Sequence, residues 1–190
     1  MTTALPKRVL VDANFLIAWQ RKGADRETRA RIEHLISRLD KAGARLVIPT
    51  PAIAEYLVGA DLAGVEAINA LSGKSTIQIA SFDYKAAFDL SLIDRGALGA
   101  GDKRDGLDAP WQKIKVDRQI VAIARSNGCE LIVSEDRGVY ANALRIGIRT
   151  CKIEDLELPD SARQHPIPFK EPKPRKSPRT ATSIKGDGAK

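Results

Sequence analysis

Four acidic residues stand where an α/β chain concentrates its chemistry. Asp12 directly follows the apolar run RVLV, Glu55 falls in the first turns of the segment after LVIPT, and Asp136 follows ELIVS by one residue. In open α/β sheets ligands sit beyond the carboxyl ends of the strands, and these three acids meet that rule. Asp117 is different: it precedes the apolar run Ile120, Val121, Ile123 and Ala124, on the helix that leads into the last of those strands. Each acid alone has an ordinary reading as a helix cap or a solvated charge. The combination is more demanding, because carboxylates about 4 Å apart repel by ~4 kcal/mol per pair at an effective dielectric near 20. A cluster of four therefore needs raised pKa values or a divalent cation. Magnesium and manganese prefer such all-oxygen sites.

The elements that would position these acids follow from hydrophobic spacing. Arg8 to Val11 reads as a strand, and Ile32, Leu35, Ile36 and Leu39, at i, i+3, i+4 and i+7, mark an amphipathic helix. Leu46 to Ile48 is a second strand. Thr50-Pro51 has the pattern of an N-cap followed by proline at the first helical position, opening the helix that carries Glu55. A helix over Leu62 to Leu71, a strand over Thr76 to Ala80 and a helix around Tyr84 to Ala97 come next. Gly99 to Pro110 reads as a loop, and Trp111 to Ser126 as a helix closed by Asn127-Gly128. Glu130 to Ser134 supplies the fourth strand, followed by a short helix over Val139 to Leu144 and an extended segment over Ile148 to Ile153. This alternation predicts an α/β fold of three layers, α/β/α, around a parallel sheet of four to five strands.

Charge is distributed unevenly. From Pro159 onward eight Lys or Arg face three Asp or Glu, so +5 of the net +7 lies in the last 32 of 190 residues, together with six of the ten prolines. That stretch lacks apolar periodicity and cannot bury enough surface to offset its ordering entropy. It divides the chain into a folded domain over 1–158 and a basic, Pro-rich tail over 159–190, expected to be disordered. Two readings of the tail stand side by side: a solubilising end, or a phosphate binder indifferent to base sequence. Cys129 and Cys151 are too few for a disulfide scaffold and form no zinc-type spacing, so they are expected to be inert core thiols. No signal-peptide h-region follows Lys7 and Arg8, and no apolar stretch reaches membrane-span length, which leads to an expectation of a cytoplasmic protein with no membrane partner.

Four segments together resemble a known family. VLVDANFLIA at 9–18, PTPAIAEYLVG at 49–59, KVDRQIVAIARSNG at 115–128 and LIVSEDRGVY at 131–140 look like the ordered motifs of PIN-domain nucleases, VapC-like ribonuclease toxins among them. Each motif is weak alone; the ordered set is fairly specific and covers about Arg8 to Ile153. By position, Asp12, Glu55, Asp117 and Asp136 match the family's acidic quartet, and Asn14 and Ser134 match the polar positions that support its metal site. The spacing S-x-D selects Asp136 over its neighbour Glu135. The resemblance implies an endoribonuclease that uses Mg²⁺ or Mn²⁺ to hydrolyse RNA, single-stranded by expectation. For the toxin branch it also implies a homodimer and an antitoxin that covers the acidic site.

The residues exclude several other chemistries. His34 sits in an amphipathic helix and His165 in the tail, so a paired-histidine ribonuclease is excluded. Asp12-Ala13-Asn14 lacks the second carboxylate of a haloacid-dehalogenase phosphatase, TIQIAS lacks a receiver domain's phospho-accepting Asp, and no G-x-G-x-x-G follows the first strand. The alternative that remains is a PIN domain that binds RNA or serves as a scaffold without catalysis. Lys113, Lys115 and Arg118 flank Asp117 as candidate phosphate contacts or ordinary surface cations. Asp102, Asp105 and Asp108, in the loop AGDKRDGLDAPW, form either a secondary cation site or a solvated turn.

Overall fold

A computed structural model describes residues 5–21, 23–104 and 106–163. The expected tail lies outside the described residues from 164 onward; its first residues are described and include a single 3-10 turn at Asp160–Ala162.

Among the described residues five strands are interleaved with seven α-helices: β1 (Arg8–Val11), α1 (Ala13–Gln20), α2 (Arg26–Lys41), β2 (Arg45–Pro49), α3 (Thr50–Val58), α4 (Leu62–Ser72), β3 (Ile77–Ala80), α5 (Tyr84–Gly99), α6 (Trp111–Ser126), β4 (Leu131–Val133), α7 (Arg137–Arg145) and β5 (Arg149–Cys151). All strand pairs are parallel, in the order β3-β2-β1-β4-β5. The expected α/β/α architecture is therefore present, with five strands. The three inner strands β2, β1 and β4 are short runs buried on both faces, as parallel strands are when helices cover both sides, while the edge strands β3 and β5 are partly exposed. Val9 and Val11 join Phe15, Leu16, Ile32, Leu39, Ile48 and Ile68 in one core layer; Leu10, Val47 and Ile132 face the other layer with Ala86, Val121, Ile123 and Val139.

The chain winds from β1 outward through β2 to β3, then returns to place β4 on the other flank of β1. The sheet thus reverses direction between β1 and β4, where Val11 pairs with Val133. The two connections diverge at that point and leave a crevice at the strands' carboxyl ends. Asp12 is the first residue after β1, Ser134 the first after β4, and Asp136 opens α7.

Two local details differ from the sequence reading. The run NFLIAW after Asp12 forms α1, an element that the spacing did not reveal. Thr50 is the first residue of α3 and not its cap; Pro49 holds the cap position without a side-chain hydrogen bond, and Pro51 sits within the first turn.

α5 and α7 both pack against α6, and a buried cation joins them. Arg118 is 1% exposed. Its Nη1 donates to Asp94 Oδ1 on α5 (2.7 Å), Nη2 to the Lys103 carbonyl in the loop after α5 (2.8 Å), and Nε to Asn142 Oδ1 on α7 (3.3 Å). The guanidinium also lies 5.7 Å from the Trp111 ring centroid. Arg118 is accordingly a structural clamp and not a phosphate contact. Replacing Arg118 by Ala should lower unfolding stability by about 2–3 kcal/mol, through lost charge-assisted bonds and packing. Urea denaturation measures this, and a loss below about 0.5 kcal/mol, the size of an ordinary surface change, would remove the clamp from the account.

Candidate active site

Asp12 and Asp136 each cap a helix with one oxygen and turn the other inward. Asp12 Oδ1 accepts the Phe15 N–H at 3.0 Å, fixing the start of α1, while its Oδ2 accepts a hydrogen bond from Ser134 Oγ. Asp136 Oδ1 accepts the N–H groups of Gly138 (2.7 Å) and Val139 (3.4 Å), while its Oδ2 receives the Lys113 ammonium. Ser134 Oγ in turn accepts the Asp136 N–H at 3.0 Å, so one hydroxyl ties the turn after β4 to the acid after β1. The capping role and the site role thus fall to different atoms of the same carboxylates.

Asp117 completes the group from α6. It is 4% exposed; Oδ1 lies 3.4 Å from Lys113 Nζ, and Oδ2 is buried with no hydrogen-bond partner. Such an orphan is costly, because a desolvated carboxylate oxygen has lost its water without replacement. Burial, then the charge of Asp136, push its pKa up to about 6 despite the attraction of Lys113. Burial also raises Asp12 against the opposing bonds from Ser134 and Phe15. Burial pushes Asp136 the same way, but the Lys113 and Gly138 hydrogen bonds prevail and hold it below the usual carboxylate range.

Glu55 stands on the second turn of α3, exposed on the flank of this group. Its charge raises both Asp12 and Asp117. It also lines a groove of about 620 Å³ with Ile17, Arg21, Tyr56 and Asp61. The larger share of the quartet therefore meets at the switch point, with Glu55 at its open side.

Asn14 is exposed in the first turn of α1. Glu135 faces elsewhere, its Oε1 accepting the Ile153 N–H at 3.0 Å, so Asp136 is the acid of that pair that turns to the site. Asp102 closes its own loop by accepting the N–H groups of Arg104 (2.9 Å) and Gly106 (2.8 Å), which favours the turn over a second cation site; Asp105 lies outside the described residues. Cys129 and Cys151 are free, with burial pushing their thiols up to about 12 and about 11, so neither is a thiolate at neutral pH.

One residue that shapes the site is not marked out by the motifs. A Cβ on Gly138 would lie 2.0 Å from Asp117 Oδ2 and 3.1 Å from Asp136 Oδ1, so only glycine allows the buried carboxylate to approach the first turn of α7. The Gly138 carbonyl accepts from Asn142 Nδ2 at 2.7 Å, and Asn142 is held by Arg118. Glycine in a first helical turn, where it costs about 1 kcal/mol relative to alanine, was the available signal.

A divalent cation fits the chemistry of these donors: all are oxygens, two of the carboxylates, Asp12 and Asp117, are buried from water, and one buried oxygen is unpaired. Among the described residues no three acidic, histidine or cysteine side chains are drawn together tightly enough to hold a cation as they stand. The Lys113 ammonium occupies the position between Asp117 and Asp136.

Residues 9–143 match the family model described as PIN domain. No protein with a curated description matches the chain. Among solved structures the chain is similar to VapBC2 from Rickettsia felis bound to a DNA fragment from its promoter, at 12% identity and a TM-score of 0.49 over 76% of this chain and 98% of that one. It is similar also to DNA-bound VapBC from Salmonella typhimurium, at 19% identity and a TM-score of 0.47 over 77% and 98% of the two chains.

The buried, unpaired carboxylate sets a pH-dependent cost. Its folded-state pKa of about 6 exceeds the unfolded value of 3.8, so Asp117 costs nothing below the unfolded value, its penalty accrues as pH rises between the two, and the full penalty is present above the folded one. Without divalent cations, Asp117→Asn should therefore be more stable than wild type at pH 7 by about 2 kcal/mol, with the difference vanishing near pH 4. Paired denaturant curves at the two pH values check this; a variant less stable at pH 7 would contradict it.

Proposed function

The chain belongs to the PIN domain family, whose members are generally nucleases, and from that premise we propose that it is an endoribonuclease hydrolysing RNA phosphodiester bonds with Mg²⁺ or Mn²⁺. The observation that carries the reading is the meeting of Asp12, Asp117 and Asp136 at the switch point, with the Asp117 Oδ2 buried and unpaired. Catalytic groups are drawn from such destabilised positions, where burial and like charge work against the ionised form.

Asp12, Asp117, Asp136 and Glu55 would hold the ion. The chemistry it supplies is activation of water for attack on phosphorus and neutralisation of charge on the phosphate. The protein's own contribution is orientation. The caps of α1 and α7 fix one oxygen of Asp12 and one of Asp136, and the Ser134 hydroxyl holds the inward oxygen of Asp12. Asn14 has the second supporting role that the motif assigns. Glu55, on the exposed flank, leaves one side of the group open to a nucleic-acid strand. No serine, cysteine or histidine nucleophile is needed, in keeping with the unreactive thiols.

Within the family the motifs point to the VapC-like toxin branch, for which we place the chain in the cytoplasm as a homodimer restrained by an antitoxin. The basic segment after 158 serves in this reading as a separate phosphate-binding tail. Its occupant is RNA at large and not a particular sequence.

Labelled single-stranded RNA should be cleaved by the purified protein with Mg²⁺ or Mn²⁺ and left intact with EDTA. Asp12→Asn and Asp117→Asn should each lower the rate by about 100-fold or more while keeping the circular dichroism of the parent. Activity retained in both variants would overturn the assignment, and a fold that binds RNA without cutting it would favour a non-catalytic scaffold.

A further inference from the structure

Lys113 lies one helical turn before Asp117 on α6, so the two side chains share a face. Its ammonium is 3.4 Å from Asp117 Oδ1 and hydrogen-bonds Asp136 Oδ2, on a side chain that is 48% exposed. A lysine so exposed has water within reach, and pinning its flexible stem costs rotamer entropy. It turns inward because two carboxylates from different elements meet there, one of them nearly desolvated, and nothing else on the described residues neutralises both. Arg118, the neighbouring cation, is committed to Asp94, Lys103 and Asn142 and faces away.

An ion held between Asp117 and Asp136 would take the Asp136 Oδ2 that the ammonium now holds and sit against the Asp117 Oδ1 that it also contacts, and two cations cannot share that space. We propose that Lys113 is the built-in counter-cation of the metal-free site, displaced outward when a divalent ion binds, so that metal affinity is set by competition with it. The proposal rests on the metal-dependent reading above. It explains how Asp117 and Asp136 coexist before any ion arrives. Since the stem is anchored at the rim, the displaced ammonium stays beside the site, where it is free to meet a phosphate. Loading of the ion then turns an internal ion pair into an outward-facing positive charge.

Mn²⁺ binding to the metal-stripped full chain tests this without reference to activity. Free Mn²⁺ followed by electron paramagnetic resonance, with calorimetry as a second readout, would be compared for wild type, Lys113→Met and Lys113→Arg. The methionine variant should bind Mn²⁺ about tenfold more tightly or better, having lost the competing charge, and the arginine variant should stay within about threefold of wild type. The metal-free methionine variant should also melt below wild type and recover that loss when Mn²⁺ is added. Equal or weaker Mn²⁺ binding by Lys113→Met overturns the counter-cation role while leaving the metal site in place. No binding by any of the three proteins removes the metal reading itself, and the proposal with it.

Discussion

A carboxylate buried with an unpaired oxygen is among the least comfortable groups a fold can carry, and the arrangement of this domain turns on accommodating one. Asp117 sits on a helix about half of whose other residues are buried. Its Oδ2 lies against the first turn of α7 at a distance that only Gly138 permits. The features around it limit the cost. Asp136 is kept ionised by backbone N–H groups and Lys113, Asp12 is held by its cap and by Ser134, and the Arg118–Asn142 chain steadies the backbone of Gly138. These contacts restrain the acids and leave one oxygen of Asp117 buried and unpaired against the first turn of α7.

Topology explains why the acids come from distant parts of the chain. Placing β4 beside β1 after β3 has been laid on the far side brings residue 12 next to residues 134–136. α6, the crossover into β4, packs on the same face of the sheet as α5 and α7, and carries Asp117 toward that junction. α3 leaves β2 one strand away and carries Glu55 along the open side. The catalytic reading and the fold therefore share one cause, the reversal of winding direction between β1 and β4.

Much of this was legible in the residues. The bounds of α6 were clear because Pro110 and the Asn127-Gly128 pair punctuate a strongly periodic stretch. β1 was clear because the apolar run Val9, Leu10 and Val11 sits between the basic pair Lys7-Arg8 and Asp12. α1 was not, since NFLIAW is too short and too uniformly apolar to show a helical period, and its capping residue had already been read as a site acid. The clamp at Arg118 was hidden by adjacency: one residue along a helix turns a side chain by about 100°, so the neighbour of a site acid faces another layer. By the same geometry Lys113, four residues back, falls on the site's own face. Gly138 needed the tertiary contact with Asp117 to acquire a meaning.

The claim on which the account depends is that Asp12, Asp117 and Asp136 form one divalent-ion site at the switch point. Crystals grown with Mn²⁺ and measured for anomalous scattering test it most directly. An anomalous peak is expected about 2.0–2.2 Å from carboxylate oxygens of at least two of these acids, Asp117 among them, with the Lys113 ammonium withdrawn from between Asp117 and Asp136. A structure at saturating Mn²⁺ with no peak among these acids, and Lys113 still paired with both carboxylates, would contradict it.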